Sequence, residues 1–254
     1  MQLEQTLKEE YRDKIVWVTG VGQGIGLAVA KQFDALGAKV IGFDRQFSET
    51  DALHKQVFCD LSQPEQVAQL LTELIEQQLA PYNLIYVAGV LEMGALEELS
   101  LAQWQHCHNV NAASLFTFIK YCGAHFKQQR TGSLVTIGSN AADTPRQKMA
   151  AYCASKAAAT QLTLTAGIEW ANYSVRCNVI APGSTLTPMQ TGMWQDDQGA
   201  QCVINGFAEQ YKLGIPLQKI ATPEEIANSA VFLASNLSSH TTMQVLTIDG
   251  GATF

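Results

Sequence analysis

The six cysteines never fall into a Cys-x-x-Cys pair; they are scattered at positions 59, 107, 122, 153, 177 and 202. That scatter suggests neither a zinc knuckle nor a disulfide frame, and its plain reading is free thiols in a reducing cytoplasm, with no metal site. Basic clusters are also missing. Lysine and arginine number 16 against 23 acidic residues, for a net charge of -7. A chain of that balance lacks the footprint of a nucleic-acid binder. No apolar run is long enough to cross a bilayer; the longest, residues 84–91, falls far short, so no membrane partner is expected. The polar, acidic residues 1–14 do not follow the pattern of a secretory signal. Charged residues are scarce, at 15% against 47% hydrophobic, which suits a large core. No linker, repeat or low-complexity stretch divides the 254 residues, so one domain over 1–254 is expected.

What the chain does have is an alternation. Strand-like runs at 15–18, 39–43, 56–59, 83–88, 133–138, 175–180 and 244–248 are separated by helical patterns. The helices are predicted after the first glycine turn to about residue 36, then over 63–78, 101–127, 150–172 and 222–234. Such an order implies an α/β, Rossmann-type doubly wound parallel sheet of about seven strands with helices on both faces. Residues 1–12 read as a short extension. Residues 184–214 break the alternation and are expected to form a substrate lid.

The first strand runs into Thr19-Gly20-Val21-Gly22-Gln23-Gly24-Ile25-Gly26. Glycines between a strand and a helix let the backbone approach a pyrophosphate, whose charge the helix N-terminus favours. Asp44 ends the second strand, 18 residues after Gly26. A carboxylate there accepts hydrogen bonds from an adenosine ribose and repels a 2′-phosphate, which favours NAD as the cofactor. Arg45 pulls the other way if it faces that phosphate, and is otherwise a surface charge. Asp60, at the end of the third strand, is a candidate for the adenine edge or a cap for the helix that follows.

A second constellation runs from Ser139 to Lys156. Tyr152 and Lys156 are four apart, so a helix places them on one face, one turn apart. An ammonium beside a phenol favours the phenolate and prepares it to act as a base. Ser139 follows a strand-like run, so its hydroxyl is expected at the carboxyl end of the sheet, where open α/β folds bind ligands. Asn111 sits inside the predicted 101–127 helix. Asparagine is a poor helix former, which leaves open a functional or kinking role and plain surface exposure.

Taken together, Thr19 to Gly26, Asp60, Asn111, Ser139, Tyr152-x-x-x-Lys156, Pro182-Gly183 with Thr187, and Asp249-Gly250-Gly251 resemble the short-chain dehydrogenase/reductase superfamily over nearly the whole chain. The resemblance implies a catalytic tetrad. Tyr152 is its base, Lys156 lowers the base's pKa and holds the nicotinamide ribose, and Ser139 orients the substrate hydroxyl. Asn111 holds a water that links Lys156 to solvent. It also implies a cofactor site over Gly20, Gly22, Gly24, Ile25, Gly26, Asp44, Asp60, Ala88, Gly89, Tyr152, Lys156, Pro182, Gly183 and Thr187, and a homotetramer. The chain departs from the family at Tyr86-Val87-Ala88-Gly89, where Asn-Asn-Ala-Gly is usual, and loses an asparagine that braces the sheet.

A narrower similarity rests on residues 17–20, 42–44, 91–95, 141–146 and 207–217. It points to the branch of that family that oxidises 2,3-dihydro-2,3-dihydroxybenzoate with NAD in catechol siderophore biosynthesis. A small carboxylate diol needs a cation, and Arg146 is the candidate, with Lys148 a weaker one. Substrate binding is therefore expected at Ser139, Arg146 and Tyr152, with Met149, Met189, Met193, Trp194 and Phe207 available as an apolar wall. The competing readings are an NADPH-dependent 3-oxoacyl reductase, a polyol dehydrogenase, and a nucleotide-binding protein without turnover.

Overall fold

Aliphatic and β-branched runs form seven strands in a computed structural model, which describes residues 2–194 and 196–253. Met1, Gln195 and Phe254, included in the single-domain expectation (Gln195 also in the lid), lie outside the described residues. The strands are β1 (Ile15–Thr19), β2 (Lys39–Asp44), β3 (Lys55–Phe58), β4 (Asn83–Tyr86), β5 (Ser133–Ile137), β6 (Arg176–Pro182) and β7 (Val245–Ile248). They pair in parallel in the order β3-β2-β1-β4-β5-β6-β7. Strand order reverses between β1 and β4, and a crevice beyond the carboxyl ends of those strands is where such sheets bind ligands.

Both faces of the sheet are covered, as parallel pairing requires. Side chains alternate along β1, so Trp17 faces one core while Val16 and Val18 face the other. On the first face Trp17, Phe43 and Tyr86 pack edge-on around Phe118 of α5 (Ser114–Gln129) or one another. Helices α3 (Pro64–Glu76) and α6 (Ala150–Trp170) complete that layer. On the second face α2 (Gly24–Ala35) lies beside α9 (Pro223–Ala234), their shared core including Phe33, Ile226 and Val231.

The predicted helix over 101–127 is not one regular helix. Residues Leu101–His108 form α4, Asn109–Ala113 form a π-helical turn, and α5 follows. A π-turn widens the helix by one residue and carries Asn111 inward, so the kinking alternative holds and the exposed one does not. The other boundaries shift by a residue or two, within the usual fraying of element ends. In the 184–214 segment two short helices form, α7 (Pro188–Thr191) and α8 (Gly199–Asn205).

Of the two forms open to the short extension over residues 1–12, a helical turn or a disordered segment, the helix is observed. Gln2–Tyr11 form α1, and Tyr11 is fully buried with its ring 5.0 Å from that of Phe33. The Glu10 carboxylate accepts the Asn236 backbone N–H at 3.0 and 3.1 Å, tying α1 to the end of α9. The Tyr11 hydroxyl has no hydrogen-bond partner among the described residues. Its ring therefore stabilises while its oxygen does not. Tyr11→Phe is expected to leave stability equal or slightly higher, and Tyr11→Ala to lower it by about 3 to 5 kcal/mol. Urea unfolding of the two variants checks this, and a costly Tyr11→Phe would refute it.

Candidate active site

Beyond the tips of the strands lies a cavity of about 840 Å³. Its first end is shaped by glycines. A Cβ on Gly22 would stand 2.3 Å from the Gln46 carbonyl oxygen, and one on Gly26 only 2.0 Å from that of Gly20. Gly20 has φ +73°, and its Cα face meets the Ala88 backbone at 3.0 Å from where a Cβ would be. Each close approach excludes a side chain, so the turn stays open to a ligand. Asp44 Oδ2 accepts the Gly22 N–H at 2.8 Å, and Oδ1 accepts those of Arg45 at 2.6 Å and Gln46 at 3.1 Å. The carboxylate thus fixes the glycine turn. The N-cap of α2, Gln23, makes no side-chain cap, which leaves that helix's first N–H groups available to an anion. Arg45 is exposed at the rim, and Ile25 and Asp60 also line the cavity. Burial works against the Asp60 charge, but the Ser62 N–H, 3.0 Å from Oδ1, helps hold its pKa below the usual carboxylate value.

The middle of the cavity is built on β4, β5, β6 and α6. Ala88 and Gly89 follow β4, and Pro182 with Gly183 ends β6. Thr19 Oγ1 accepts the N–H groups of Val87 at 2.9 Å and Ala88 at 3.0 Å. It braces the strand tips where the usual asparagine is absent, a role that sequence reading missed. Tyr86, in the same departing stretch, donates to the Val110 carbonyl at 2.7 Å and ties β4 to the π-turn. Thr187 packs over Gly24 and accepts the Gln190 N–H at 3.3 Å as the N-cap of α7.

Ser139, Tyr152 and Lys156 meet in this middle section. Ser139 is extended and its hydroxyl accepts the Ala141 N–H at 3.1 Å. Lys156 Nζ donates to the Ile137 carbonyl at 2.9 Å and lies 5.8 Å from the centre of the Tyr152 ring. Burial pushes the lysine down to about 8 and the tyrosine up to about 12, the latter offset in part by a hydrogen bond from Ser139. The expected effect of the Lys156 ammonium is to favour the phenolate; desolvation, the largest cause at both groups, acts against both charged forms.

Asn111 stands behind these residues and does not line the cavity. Its Oδ1 accepts the Val90 N–H at 2.8 Å; its Nδ2 donates to the Val90 carbonyl and to Ser155 Oγ, each at 2.9 Å. Ser155 in turn donates to the Tyr152 carbonyl at 2.8 Å. A Cβ on Gly89 would come within 3.1 Å of Lys156 Nζ and 3.3 Å of Asn111 Oδ1, so only glycine leaves that approach open.

The far end holds Arg146, half-buried, whose guanidinium burial depresses from its ordinary value. Met149, Met189 and Met193 line it as expected of an apolar wall. Trp194 and Phe207 do not line it. Trp194 packs on Gly199, and Phe207 pairs with Lys212 in a two-residue bridge. Lys148 is exposed and also faces elsewhere, whereas Lys212 lines the cavity. Sequence reading quoted the stretch holding Lys212 without singling it out, since only the folded hairpin carries it to the cavity. Among the described residues no group of three His, Cys, Asp or Glu is placed to hold a metal ion.

Comparison with known proteins agrees with this geometry. A family model described as enoyl-(acyl carrier protein) reductase, from the short-chain dehydrogenase/reductase family, matches residues 20–253. The chain is 46% identical to a 2,3-dihydro-2,3-dihydroxybenzoate dehydrogenase of Escherichia coli, over 96% of this chain and 98% of that one. It is 38% identical to a vibriobactin-specific 2,3-dihydro-2,3-dihydroxybenzoate dehydrogenase of Vibrio cholerae, over 94% and 95%. Among solved structures, a Beutenbergia cavernae chain described as an NAD(P)-dependent gluconate 5-dehydrogenase, with NADP bound, superposes with a TM-score of 0.85. It is 31% identical, over 94% of this chain and 96% of that one.

The bonds from Asn111 to Val90 make a direct test. Asn111→Leu removes the acceptor of the half-buried Val90 N–H and one donor to its carbonyl, leaving that carbonyl only the Cys107 thiol, and is expected to cost about 2 to 4 kcal/mol in urea unfolding. Unchanged stability would show that those backbone groups find other partners.

Proposed function

The chain belongs to the short-chain dehydrogenase/reductase family, and from that premise we propose which reaction it runs. It oxidises 2,3-dihydro-2,3-dihydroxybenzoate to 2,3-dihydroxybenzoate, in catechol siderophore biosynthesis. The observation that carries the reading is one cavity holding Ser139, Tyr152 and Lys156 with Arg146, half-buried and without an ion pair among the described residues, at its far end. Kinship with dehydrogenases of that name supports it.

The residues fit a nicotinamide dinucleotide. A glycine turn with no room for a Cβ at Gly22 or Gly26, an uncapped helix start and Asp44 at the end of β2 form its cradle. Gly20, Gly22, Gly24, Ile25 and Gly26 would hold the pyrophosphate, Asp44 the adenosine ribose and Asp60 the adenine edge. Ala88, Gly89, Pro182, Gly183, Thr187 and Lys156 would hold the nicotinamide half. When bound, the dinucleotide accepts the hydride that leaves the alcohol carbon. Asp44 supports NAD over NADP by charge repulsion, and Arg45, exposed beside it, is read as a surface charge.

In the proposed mechanism Ser139 hydrogen-bonds the ring hydroxyl being oxidised and Tyr152 removes its proton. Lys156 is held by the Ile137 carbonyl with its ammonium 5.8 Å from the centre of the phenol ring, and a positive charge there favours the phenolate as the proton leaves. Asn111 keeps Val90 and Ser155 in place and is proposed to hold the water through which the proton leaves. Arg146 takes the carboxylate with its planar fork. The ketone formed is a tautomer of an aromatic catechol, so the oxidation runs one way.

Residues 184–214 act as the lid. A homotetramer is supported by apolar residues left exposed on α5 and α6 (Phe116, Ile168) and on the edge strand β7 (Val245, Leu246). A cytoplasmic location fits the six unpaired thiols. Among the described residues no helix is long and apolar enough to cross a membrane.

The assay mixes the protein with NAD and the dihydrodiol acid and follows NADH absorbance and catechol fluorescence. Turnover of acyl thioesters with NADPH, and silence with the acid, would overturn the reading. Tyr152→Phe is expected to lower kcat by roughly 10²- to 10⁴-fold, with dinucleotide binding retained in a titration. Arg146→Ala is expected to raise KM for the acid by roughly 10- to 100-fold with a smaller change in kcat. An unchanged KM would remove Arg146 from the site.

A further inference from the structure

Two cations share the far end of the cavity, and no ion pair engages either among the described residues. Arg146 lies on the loop between β5 and α6, and Lys212 on the Phe207–Lys212 hairpin in the 184–214 segment. Burial lowers the Lys212 pKa, and the Arg146 charge lowers it further, so the two repel across the cavity. The carboxylates nearby are otherwise engaged. Asp249 accepts from Asn140 at 3.2 Å and from the Gly251 N–H at 3.0 Å, and Glu92 accepts from Gln103 at 3.5 Å.

Lys212 is also held in place. Phe207 and Lys212 exchange backbone bonds of 2.8 and 3.1 Å, and the ammonium sits 5.4 Å from the Phe207 ring centre. The base of the hairpin is a tight crossing. A Cβ on Gly206 would meet the Gly214 nitrogen at 2.5 Å, and one on Gly214 the Ile204 carbonyl oxygen at 2.5 Å. The Ile215 N–H donates to that same carbonyl at 2.8 Å. A long, flexible side chain is thereby delivered to the cavity from a base with little freedom, while the hairpin tip at Tyr211 stays exposed.

We infer that Lys212 is the second cation of the carboxylate subsite and a specificity-determining residue for acid over neutral diols. The inference rests on the dihydrodiol-acid reading of the site. A carboxylate offers two oxygens and about four lone-pair directions, more than one guanidinium uses. Arg146 on the body and Lys212 on the hairpin together let one carboxylate bridge the two. An acid therefore neutralises the repulsion between the two cations, and a neutral diol leaves two like charges facing each other without relief.

The test compares wild type, Lys212→Gln and Lys212→Arg, each with NAD, on the dihydrodiol acid and on its neutral carboxamide. Lys212→Gln is expected to raise KM for the acid roughly 10-fold, with kcat and the KM for the amide little changed. Lys212→Arg is expected to restore most of the acid's affinity. An unaltered KM for the acid, or an equal rise for acid and amide, overturns the second cation while the proposed reaction stands. Wild-type protein that oxidises neither compound removes the reaction and this inference together.

Discussion

A buried ammonium is the constraint on which this molecule's centre depends. Lys156 is almost fully enclosed, and an isolated charge in such a place is costly unless something receives its protons. The Ile137 carbonyl does so from the last residue of β5, one residue beyond the last pairing with β4. That bond fixes how α6 lies across the sheet, and so fixes Tyr152 one turn earlier. Gly89 makes room for the ammonium, and the π-turn brings Asn111 against Gly89 and Val90 from the other side. Removing any one of these features leaves either a clash or an unpaired group in the interior. The site is therefore assembled by the same polar contacts that close the core behind it.

Much of this was legible in the chain. Strand runs alternating with helical ones fix a parallel, doubly wound sheet, because crossovers of that length have few other ways to pack. The Tyr152–Lys156 spacing is a local property of one helix, and the glycine turn is a local property of one strand–helix junction, so both survive reading without coordinates. What depended on the third dimension was not legible. The π-turn adds one residue to a helix without any change of pattern, so residues 101–127 read as continuous. Tyr11 looked like part of a polar extension because its burying partner, Phe33, is separated by a whole strand. Lys212 reaches the cavity through a hairpin whose backbone bonds no periodicity announces. Trp194 and Phe207, apolar and close to the site in sequence, pack into the lid's own structure instead.

The pKa of the base shows where sequence logic overreaches. Charge proximity on a helix predicts an acidic phenol, but proximity says nothing about desolvation. Both groups lose water together, and each is driven toward its neutral form, the phenol upward and the amine downward. At about 8 the amine still carries its charge near neutral pH, and the phenol, at about 12, gives up its proton only once positive charge and hydrogen bonds gather around it. Ser139 already acts on the phenol in that direction. Burial therefore keeps the phenol protonated on its own and leaves it responsive to what binds beside it.

Asp44 carries a related economy. The carboxylate proposed to select the ribose is also the acceptor for Gly22, Arg45 and Gln46. One oxygen ties the glycine turn to β2, and the other closes the end of that strand. Oδ1 accepts two N–H groups, but Oδ2 accepts only one and keeps a lone pair, so the structural bonds do not exhaust the carboxylate. Replacing Asp44 with a small neutral residue to admit a 2′-phosphate would free Gly22 at the same moment, and a loosened turn binds a pyrophosphate less well. Cofactor choice at this position is coupled to the shape of the cradle. A change in preference therefore needs a second substitution that holds Gly22, and Ser48, whose hydroxyl already bonds the Gly22 carbonyl, marks the side from which that support could come.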